Sequence, residues 1–355
     1  MGVIVRPGVG EAVCLAAMAR VGAMENRTLG RTGRQVGVIG LGAWQLGADW
    51  GQVDEADALG TLHAALDSGV NFIDTADVYG GGRSEQIIAK LLREREAAGA
   101  EPGSLTVATK MGRRMAQELG NYSAANFRAW TDRSRRNLGV DTLDLVQLHC
   151  PPDSVYASDE VFDSLDALVE DGTVAAYGVS VETCAQALSA IRRPHVASVQ
   201  IILNAFRLKP LDEVLPAAEA AGVGIIARVP LASGLLSGRY TAETVFGADD
   251  HRNYNRRGEA FDVGETFSGV DYATGLAAVE RLRPLVPQGA TLAQFALRWI
   301  VDQPGVSVVI PGARNAEQAH ANAAAAALAP LDQDTHKAVR DVYDELIRPQ
   351  IHDRW

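Results

Sequence analysis

The sequence predicts a single parallel α/β barrel in which eight strands alternate with eight helices. From residue 26 onward, short runs rich in β-branched residues alternate with longer stretches rich in Ala and Leu that have helical periodicity. The strand-like runs are almost continuously apolar, as in segment 143–148, which is typical of strands covered on both faces. Eight such units fit a closed (β/α)8, or TIM, barrel better than an open doubly wound sheet.

The predicted elements follow this alternation in chain order. The predicted strands are 38–42, 71–76, 105–110, 143–149, 175–180, 198–204, 222–228 and 306–311. The predicted helices are 54–67, 84–96, 126–138, 158–170, 184–191, 211–221, 292–301 and 316–327. Three additions exceed the minimal barrel: an N-terminal β-hairpin within 27–36 that would plug its bottom, a long segment 229–289 after the seventh strand, and a C-terminal helix 334–347. Segments that long are usually functional or disordered, and in a barrel they lie over the active-site end.

The first 25 residues differ from the rest of the chain. Their apolar core is short, Glu11 adjoins it, and only Arg6 gives the front a positive charge. These features disfavour a secretory signal peptide. We therefore expect residues 1–25 to be a loose extension, or the product of a start codon assigned too early, and residues 26–355 to form one barrel domain.

Composition excludes several classes of function. The chain has 355 residues, with 33 Lys plus Arg against 44 Asp plus Glu, and a formal net charge of −11. An acidic chain without a Lys/Arg run is a poor partner for nucleic acid. No apolar run reaches the roughly 18 residues of a membrane span. Cys14, Cys150 and Cys184 are too few and too scattered for a disulfide framework or a zinc site, and they indicate reduced thiols in a cytoplasmic protein without a bound metal.

Polar residues at the ends of three consecutive strands indicate a catalytic site. The C-terminal ends of barrel strands form one face, here called the mouth, where the active sites of such barrels lie. Asp74 and Tyr79 follow the second strand, Lys110 ends the third, and His149 ends the fourth. A lysine paired with an aspartate lowers the pKa of a neighbouring phenol, and a neutral histidine orients a carbonyl group. Each residue alone also has a structural interpretation, as a helix cap, a packing group, a solvated strand end or a core histidine, but their conjunction favours proton transfer.

The motifs around these residues resemble those of the aldo-keto reductase family. The matching runs are Asn71-Phe-Ile-Asp-Thr-Ala-Asp-Val-Tyr-Gly with Ser84-Glu85, Val107-Ala-Thr-Lys, Leu148-His149, Gly178-Val-Ser, Val229-Pro-Leu with Gly234-Leu-Leu-Ser-Gly, and Val309-Ile-Pro-Gly-Ala. The resemblance implies an NADP(H)-dependent enzyme, without a metal, that reversibly reduces aldehydes or ketones to alcohols. It also implies that Tyr79 is the general acid, that Lys110 and Asp74 tune it, and that His149 orients the carbonyl.

The resemblance further implies a cofactor that lies extended across the mouth. A Rossmann fingerprint is not present, because Gly40-Leu-Gly42 lacks the third glycine. The implied cofactor-binding residues are Gly42, Trp44 and Asp74 at the nicotinamide end, Ser180 and Gln200 at the carboxamide, Pro230, Leu231, Gly234 and Arg239 over the pyrophosphate, and Gly312, Arg314, Gln318 and Asn322 around the adenosine and its 2′-phosphate. The N-terminus of the last barrel helix adds a dipole that favours this phosphate.

Three positions depart from the family pattern. Val181 stands where an asparagine is common, so one carboxamide hydrogen bond is missing. Arg228 stands where many members place an aromatic ring on the nicotinamide, and its planar guanidinium is able to stack there instead. The usual Lys-Ser pair is Gly-Ala at 312–313, and Gln318 replaces a later arginine, which leaves Arg314 as the cation for the 2′-phosphate. NAD(H) is therefore the alternative cofactor.

The walls of the substrate pocket stay open at this point. Trp44, Trp50, Phe206, the 229–289 segment and residues 351–355 are candidates, with ordinary core or surface aromatics as the alternative. The polar run His251, Arg252, Arg256 and Arg257 either attracts an anionic group or forms a solvated face.

Two other classes of function compete with the reductase. One is a non-catalytic regulatory barrel that binds NADP(H), as in channel-associated relatives of the family. The other is a lyase or isomerase that uses Lys110 as a Schiff-base amine, for which the lysine must be desolvated and its pKa lowered. Because Asp74 and Tyr79 suit a charged lysine, the reductase is favoured. The sequence indicates a small carbonyl compound as the partner and does not fix the oligomeric state.

Overall fold

The structure, a computed structural model, describes residues 24–47 and 53–355. Most of the predicted N-terminal extension, 1–23, and the pocket candidate Trp50 lie outside the described residues.

The described residues form a two-stranded hairpin followed by an eight-stranded parallel sheet. The hairpin strands are β1 (Asn26–Thr28) and β2 (Gln35–Gly37). The barrel strands are β3 (Leu41–Gly42), β4 (Phe72–Asp74), β5 (Thr106–Met111), β6 (Leu145–His149), β7 (Tyr177–Ser180), β8 (Ser198–Ile202), β9 (Gly224–Arg228) and β10 (Val306–Val309). Each barrel strand pairs in parallel with the next one along the chain, which confirms the predicted order.

The first and last barrel strands meet through single bridges rather than a full ladder. Ile39 is paired with Val309, and Gly42 with Gly312, both in parallel. The Gly40 N–H also donates to the Val309 carbonyl at 2.8 Å. These contacts nearly close the barrel. Because Ile39 has a single isolated bridge and no ladder, β3 is shorter than the predicted strand 38–42.

Helices surround the barrel, and most of them begin at a capping residue. They are α1 (Glu55–Asp67), α2 (Arg83–Ala97), α3 (Ala124–Leu138), α4 (Asp153–Tyr156), α5 (Asp159–Glu170), α6 (Cys184–Ile191), α7 (Pro210–Ala221), α8 (His251–Tyr254), α9 (Tyr272–Leu282), α10 (Leu292–Val301), α11 (Ala316–Ala323), α12 (Gln333–Val342) and α13 (Arg348–Ile351). Thr183 and Thr291 form capping boxes at α6 and α10, and Asn315 caps α11. A π-helical turn, Tyr343–Ile347, continues α12. Such caps define helix starts, so the predicted starts lie within two residues of the observed ones.

The hairpin closes the bottom of the barrel, as predicted. Leu29 and Val36 are fully buried. They pack in an interior cluster with Phe72, Ala108, Leu145, Ile226, Val308 and Ile310. Arg27 Nη1 donates to the carbonyls of Val301 and Val306 at 2.9 and 2.8 Å, which ties the hairpin to the last barrel strand.

The 229–289 segment is folded and packs on the mouth. It contains α8 and α9, of which the sequence predicted neither. Asn204, just after β8, donates to the Val229 carbonyl and to Ser268 Oγ, both at 2.8 Å, and so anchors both sides of the segment. Among the described residues, no helix combines the length and apolarity needed to cross a bilayer.

Candidate active site

The four polar residues from the strand ends converge at the mouth. Lys110 Nζ donates to Asp74 Oδ2 at 2.5 Å and to the Tyr79 hydroxyl at 3.3 Å. The rings of Tyr79 and His149 meet edge to face with their centroids 6.0 Å apart. Asp74 is 3% exposed and Lys110 is 1% exposed, so this ion pair is shielded from water. The lysine therefore lies between the carboxylate and the phenol.

A glycine-rich turn places Tyr79 in this arrangement. Tyr79 opens a short turn, Tyr79–Gly82, that leads directly into α2. Gly80 has a φ of 57°, and a Cβ atom there would lie 2.2 Å from the Gly47 carbonyl oxygen. Because only glycine fits this left-handed, crowded position, the turn holds the tyrosine ring over the strand ends.

Asp74 is held by two amides as well as by the lysine. Gln200 Nε2 donates to Asp74 Oδ1 at 2.7 Å, and Gln147 Nε2 donates to the same atom at 3.1 Å. The sequence predicted Gln200 at the nicotinamide carboxamide and did not single out Gln147. Both carboxylate oxygens of Asp74 are thus satisfied, which is the condition for keeping a buried ion pair.

Burial and nearby charges set the protonation states at the mouth. Burial raises the pKa of Tyr79 and outweighs the lowering by the Lys110 ammonium, so the net direction is opposite to the one predicted from the sequence. Burial lowers the pKa of Lys110, but Asp74 and Tyr79 together raise it by more, so the net shift is upward. Burial and the charges of Arg113, Lys110 and Arg228 hold the pKa of His149 well below its usual range. At neutral pH the group therefore contains a protonated phenol, an ammonium and a neutral imidazole.

A second ionic cluster, here called the Arg228 cluster, consists of Arg113, Glu182, Arg228 and Glu265. Arg228 Nη1 donates to Glu265 Oε1 at 2.5 Å, and its Nη2 donates to Glu182 Oε2 at 2.8 Å. Arg113 Nη2 donates to the other oxygen of Glu182 at 3.0 Å. The sequence predicted Arg228 but missed the other three members of the cluster. A cation at a buried strand end requires a countercharge, yet nothing in a single sequence says which carboxylate supplies it.

The two carboxylates of this cluster also approach Cys150. Among the described residues, Cys150, Glu182 and Glu265 have ligand-type atoms within 4.8 Å of one another. Both carboxylates are already paired with guanidinium groups. The charge that would attract a cation is therefore balanced by arginine.

The predicted cofactor residues lie in separate groups along the mouth. His149, Ser180 and Gln200 form one row across β6, β7 and β8. Pro230, Leu231 and Gly234 lie in the turn that follows β9, and Arg239 is exposed beyond it. At the far side, Gly42 is bridged to Gly312, the Asn322 amide donates to the Gly312 carbonyl at 3.1 Å, and the Arg314 N–H donates to Gln318 Oε1 at 3.0 Å.

Some of the buried side-chain nitrogens at the mouth have no hydrogen-bond partner among the described residues. Among them are His149 Nδ1 and Arg228 Nε. Buried polar atoms in folded proteins are nearly always hydrogen-bonded. The site is therefore suited to a polar ligand beside Tyr79.

Aromatic rings cover the tyrosine. Trp44 stacks on Tyr79 with centroids 5.9 Å apart, and it contacts His251 at 5.4 Å and Phe261 at 6.0 Å. His251 is fully buried, and burial lowers its pKa to about 4. Arg252 is also buried and is paired with Asp250. The prediction of a solvated face is therefore wrong for His251 and Arg252. Arg256 and Arg257 are exposed, as a solvated face requires.

The other pocket candidates lie at different places. Phe206 is fully buried in the core. Trp355 packs on the 229–289 segment, where its Nε1 donates to Asp262 at 3.1 Å and the Arg207 guanidinium covers its ring at 3.7 Å. Trp355 therefore supports that segment.

Asp77 fixes the turn that begins at Tyr79. It is fully buried, its N–H donates to the Lys110 carbonyl at 3.1 Å, and its carboxylate accepts from Arg133 Nη2 at 2.5 Å. Burial outweighs the attraction of Arg133 and raises the pKa of Asp77 to about 6.

The free energy of unfolding should therefore increase as the pH falls from 7 to 5, because of Asp77. In the folded state the pKa of its carboxyl group is about 6, compared with the ordinary value of 3.8, so the folded protein takes up this proton at higher pH than the unfolded chain. By linkage, this adds about 1 kcal/mol to the free energy of unfolding over that interval, relative to Asp77→Asn. Urea unfolding of both proteins at pH 7, 6 and 5 measures the difference, and a difference independent of pH would contradict the assignment.

Comparisons with known proteins identify the family of the chain. The family model "Aldo/keto reductase family" matches residues 38–344. The aldo-keto reductase YhdN of Bacillus subtilis is 30% identical over 299 residues, which cover 84% of this chain and 87% of that protein. A probable voltage-gated potassium channel subunit beta of Arabidopsis thaliana is 30% identical over 324 residues, 87% of this chain and 93% of that protein. The solved structure of a glycerol dehydrogenase from Gluconobacter oxydans is 28% identical with a TM-score of 0.71, and covers 95% of this chain and 98% of its own. The chain belongs to the aldo/keto reductase family.

Proposed function

We propose that this protein is an NADP(H)-dependent oxidoreductase that reversibly reduces small aldehydes or ketones to alcohols, with Tyr79 as the proton donor. The observation that carries the proposal is the position of Lys110 Nζ, 2.5 Å from Asp74 and 3.3 Å from the Tyr79 hydroxyl. An ammonium held beside a protonated phenol stabilises the phenolate that remains when the proton leaves. We place the activity in one barrel domain, 26–355, and in the cytoplasm.

Each residue of the group has one task in this reaction. Tyr79 gives its proton to the carbonyl oxygen. Lys110 offsets the charge left on the phenolate, and Asp74 keeps the lysine charged and aimed. His149, neutral because of its burial and its cationic neighbours, is suited to donate a hydrogen bond to the same oxygen. Bound NADPH supplies the hydride for the carbonyl carbon.

The residues present fit such a cofactor. Arg228 Nε is a buried donor without a partner among the described residues, and Arg228, Ser180 and Gln200 would hold the nicotinamide end. Arg314 and the N-terminus of α11 would hold the 2′-phosphate, because backbone N–H groups and the helix dipole favour an anion there. The other residues that would hold it are Gly42, Trp44, Asp74, Pro230, Leu231, Gly234, Arg239, Gly312, Gln318 and Asn322. NAD(H) is the alternative cofactor.

A non-catalytic regulator is the second candidate, because the chain is 30% identical to a probable potassium channel subunit beta. The four-residue group argues for catalysis over regulation. The Schiff-base alternative is disfavoured, since such an amine needs a lowered pKa and the pKa of Lys110 is raised.

The first test measures NADPH consumption with a panel of reactive aldehydes and quinones. Cofactor binding is measured in parallel by quenching of protein fluorescence. Turnover supports the reductase. Tight binding of NADPH without turnover on any member of the panel supports the regulator. The absence of both binding and turnover in folded protein contradicts both functions.

Replacing Arg314 with Ala should weaken NADPH binding about tenfold and leave NADH binding within about twofold. The reason is the loss of one charge-assisted contact to the 2′-phosphate, which NADH lacks. Titration of both cofactors measures the effect. Arg239→Ala is the matched control, because a contact to the pyrophosphate affects both cofactors alike. Equal losses for NADPH and NADH in Arg314→Ala would contradict its assignment.

A further inference from the structure

The side chain of Arg228 is fixed in one orientation by groups from two separate loops. Glu182 lies between β7 and α6, and Glu265 lies in the 229–289 segment. Arg228 Nη2 also donates to the Val181 carbonyl at 2.9 Å. Arg113 holds Glu182 from its other side. Both terminal nitrogens of the guanidinium are therefore bonded, and its plane is set.

The cluster places two carboxylates against one buried guanidinium group. Arg228 is 8% exposed at its side chain, and it is paired with two carboxylates that are themselves 13% and 9% exposed. Burying several charges costs free energy that ion pairing offsets only with good geometry. A cluster of this kind is therefore expected where a function uses it.

The cluster adjoins the row of residues at the nicotinamide end. Glu182 follows Ser180 by two residues, and Ser180 is paired with His149 across the strands. The charge of Arg228 is one cause of the lowered pKa of His149. Arg228 Nη2 lies 3.9 Å from the sulfur of Cys150, the residue after His149.

We propose that Glu182 and Glu265 are positioning residues that hold Arg228 flat as a support for the nicotinamide ring and cancel its charge. This inference rests on the proposed function. A guanidinium plane is able to stack on a ring, but an uncompensated cation there repels the positively charged ring of NADP⁺ and not the neutral ring of NADPH. The two carboxylates thus permit the arginine to serve both forms of the cofactor. Glu265 also makes the 229–289 segment part of this end of the site.

The inference predicts an effect on the ratio of two affinities. In Glu182→Gln and in Glu265→Gln, the dissociation constant of NADP⁺ should rise about tenfold, as expected for one lost charge several ångströms away at intermediate dielectric. That of NADPH should rise less than about twofold. Glu182→Asp, which keeps the charge, should keep the ratio near that of the unchanged protein.

Fluorescence titration of both cofactor forms, with thermal unfolding of each variant, tests this. Glu345→Gln is the matched control, because it removes a carboxylate from the exposed pair with Arg281. A purely structural role of the carboxylates weakens both forms equally, and that result or an unchanged ratio would overturn the inference. If one Gln variant fails to fold, the other tests the same ratio. If both fail, Glu182→Asp is compared with the unchanged protein. A shifted ratio in that variant, which retains the charge, would overturn the inference. Failure of the unchanged protein to bind either form would instead refute the proposed function.

Discussion

Replacing Tyr79 with Phe should lower turnover about 10²–10⁴-fold, the usual range for loss of a general acid. The phenyl ring keeps the stacking on Trp44, whose centroid lies 5.9 Å away, so the covering of the site is retained. The hydroxyl that accepts a hydrogen bond from Lys110 at 3.3 Å is the part that is lost. NADPH affinity should therefore stay within about twofold, because the change affects the transition state and not ground-state binding.

Steady-state rates and cofactor titration on the same preparation measure both quantities. Tyr177→Phe is a suitable control, since Tyr177 is also buried and its hydroxyl also donates a hydrogen bond, to Asp166 at 2.7 Å, away from the mouth. That control should retain its turnover. A large loss of NADPH affinity in Tyr79→Phe would make the tyrosine a structural residue, and retained turnover would exclude it as the acid.

Replacing Lys110 with Met should abolish turnover and also lower the free energy of unfolding by about 3–5 kcal/mol. The reason is that Asp74, 3% exposed, then lacks its buried countercharge. Amide donors from Gln147 and Gln200 remain, but they do not neutralise a carboxylate. Urea unfolding followed by circular dichroism measures the loss.

The double variant Lys110→Met/Asp74→Asn separates stability from chemistry. Removing both charges also removes the penalty of an unpaired buried ion, so most of the lost stability should return. Turnover should not return, because no cation then lies beside Tyr79. Additive losses of stability from the two substitutions would contradict the pairing of these residues.

Much of the fold was predictable because barrel strands and helices differ in periodicity and are punctuated by caps. The eight strands and the hairpin were identified for this reason. Helix α9 was missed inside the 229–289 segment, although Asp271 caps its start. The first strand was predicted too long, because within residues 38–40 only Ile39 is bridged to β10, through a single isolated bridge to Val309 that only the closed barrel creates.

The candidate site was predictable where topology alone brings residues together. Asp74, Lys110 and His149 end neighbouring parallel strands, and the strand order forces them to one face. The partners of Arg228 come from loops without a recognisable motif, so they depend on tertiary packing. The predicted direction of the pKa shift of Tyr79 was wrong for a related reason. The sequence reveals the charge of Lys110, which lowers this pKa, but not the burial that raises it.

The plug at the bottom of the barrel determines when the protein can finish folding during its synthesis. Leu29 and Val36 are made early, but their cluster includes Val308 and Ile310. The guanidinium of Arg27 likewise waits for carbonyls that lie 274 and 279 residues later in the chain. Contacts of such separation slow folding, and until β10 is made, β3 and β9 remain open sheet edges that are prone to pair with other chains. The barrel is therefore completed only after nearly all of the chain has been translated, and the unfinished sheet is the stage at which a nascent chain needs protection from aggregation.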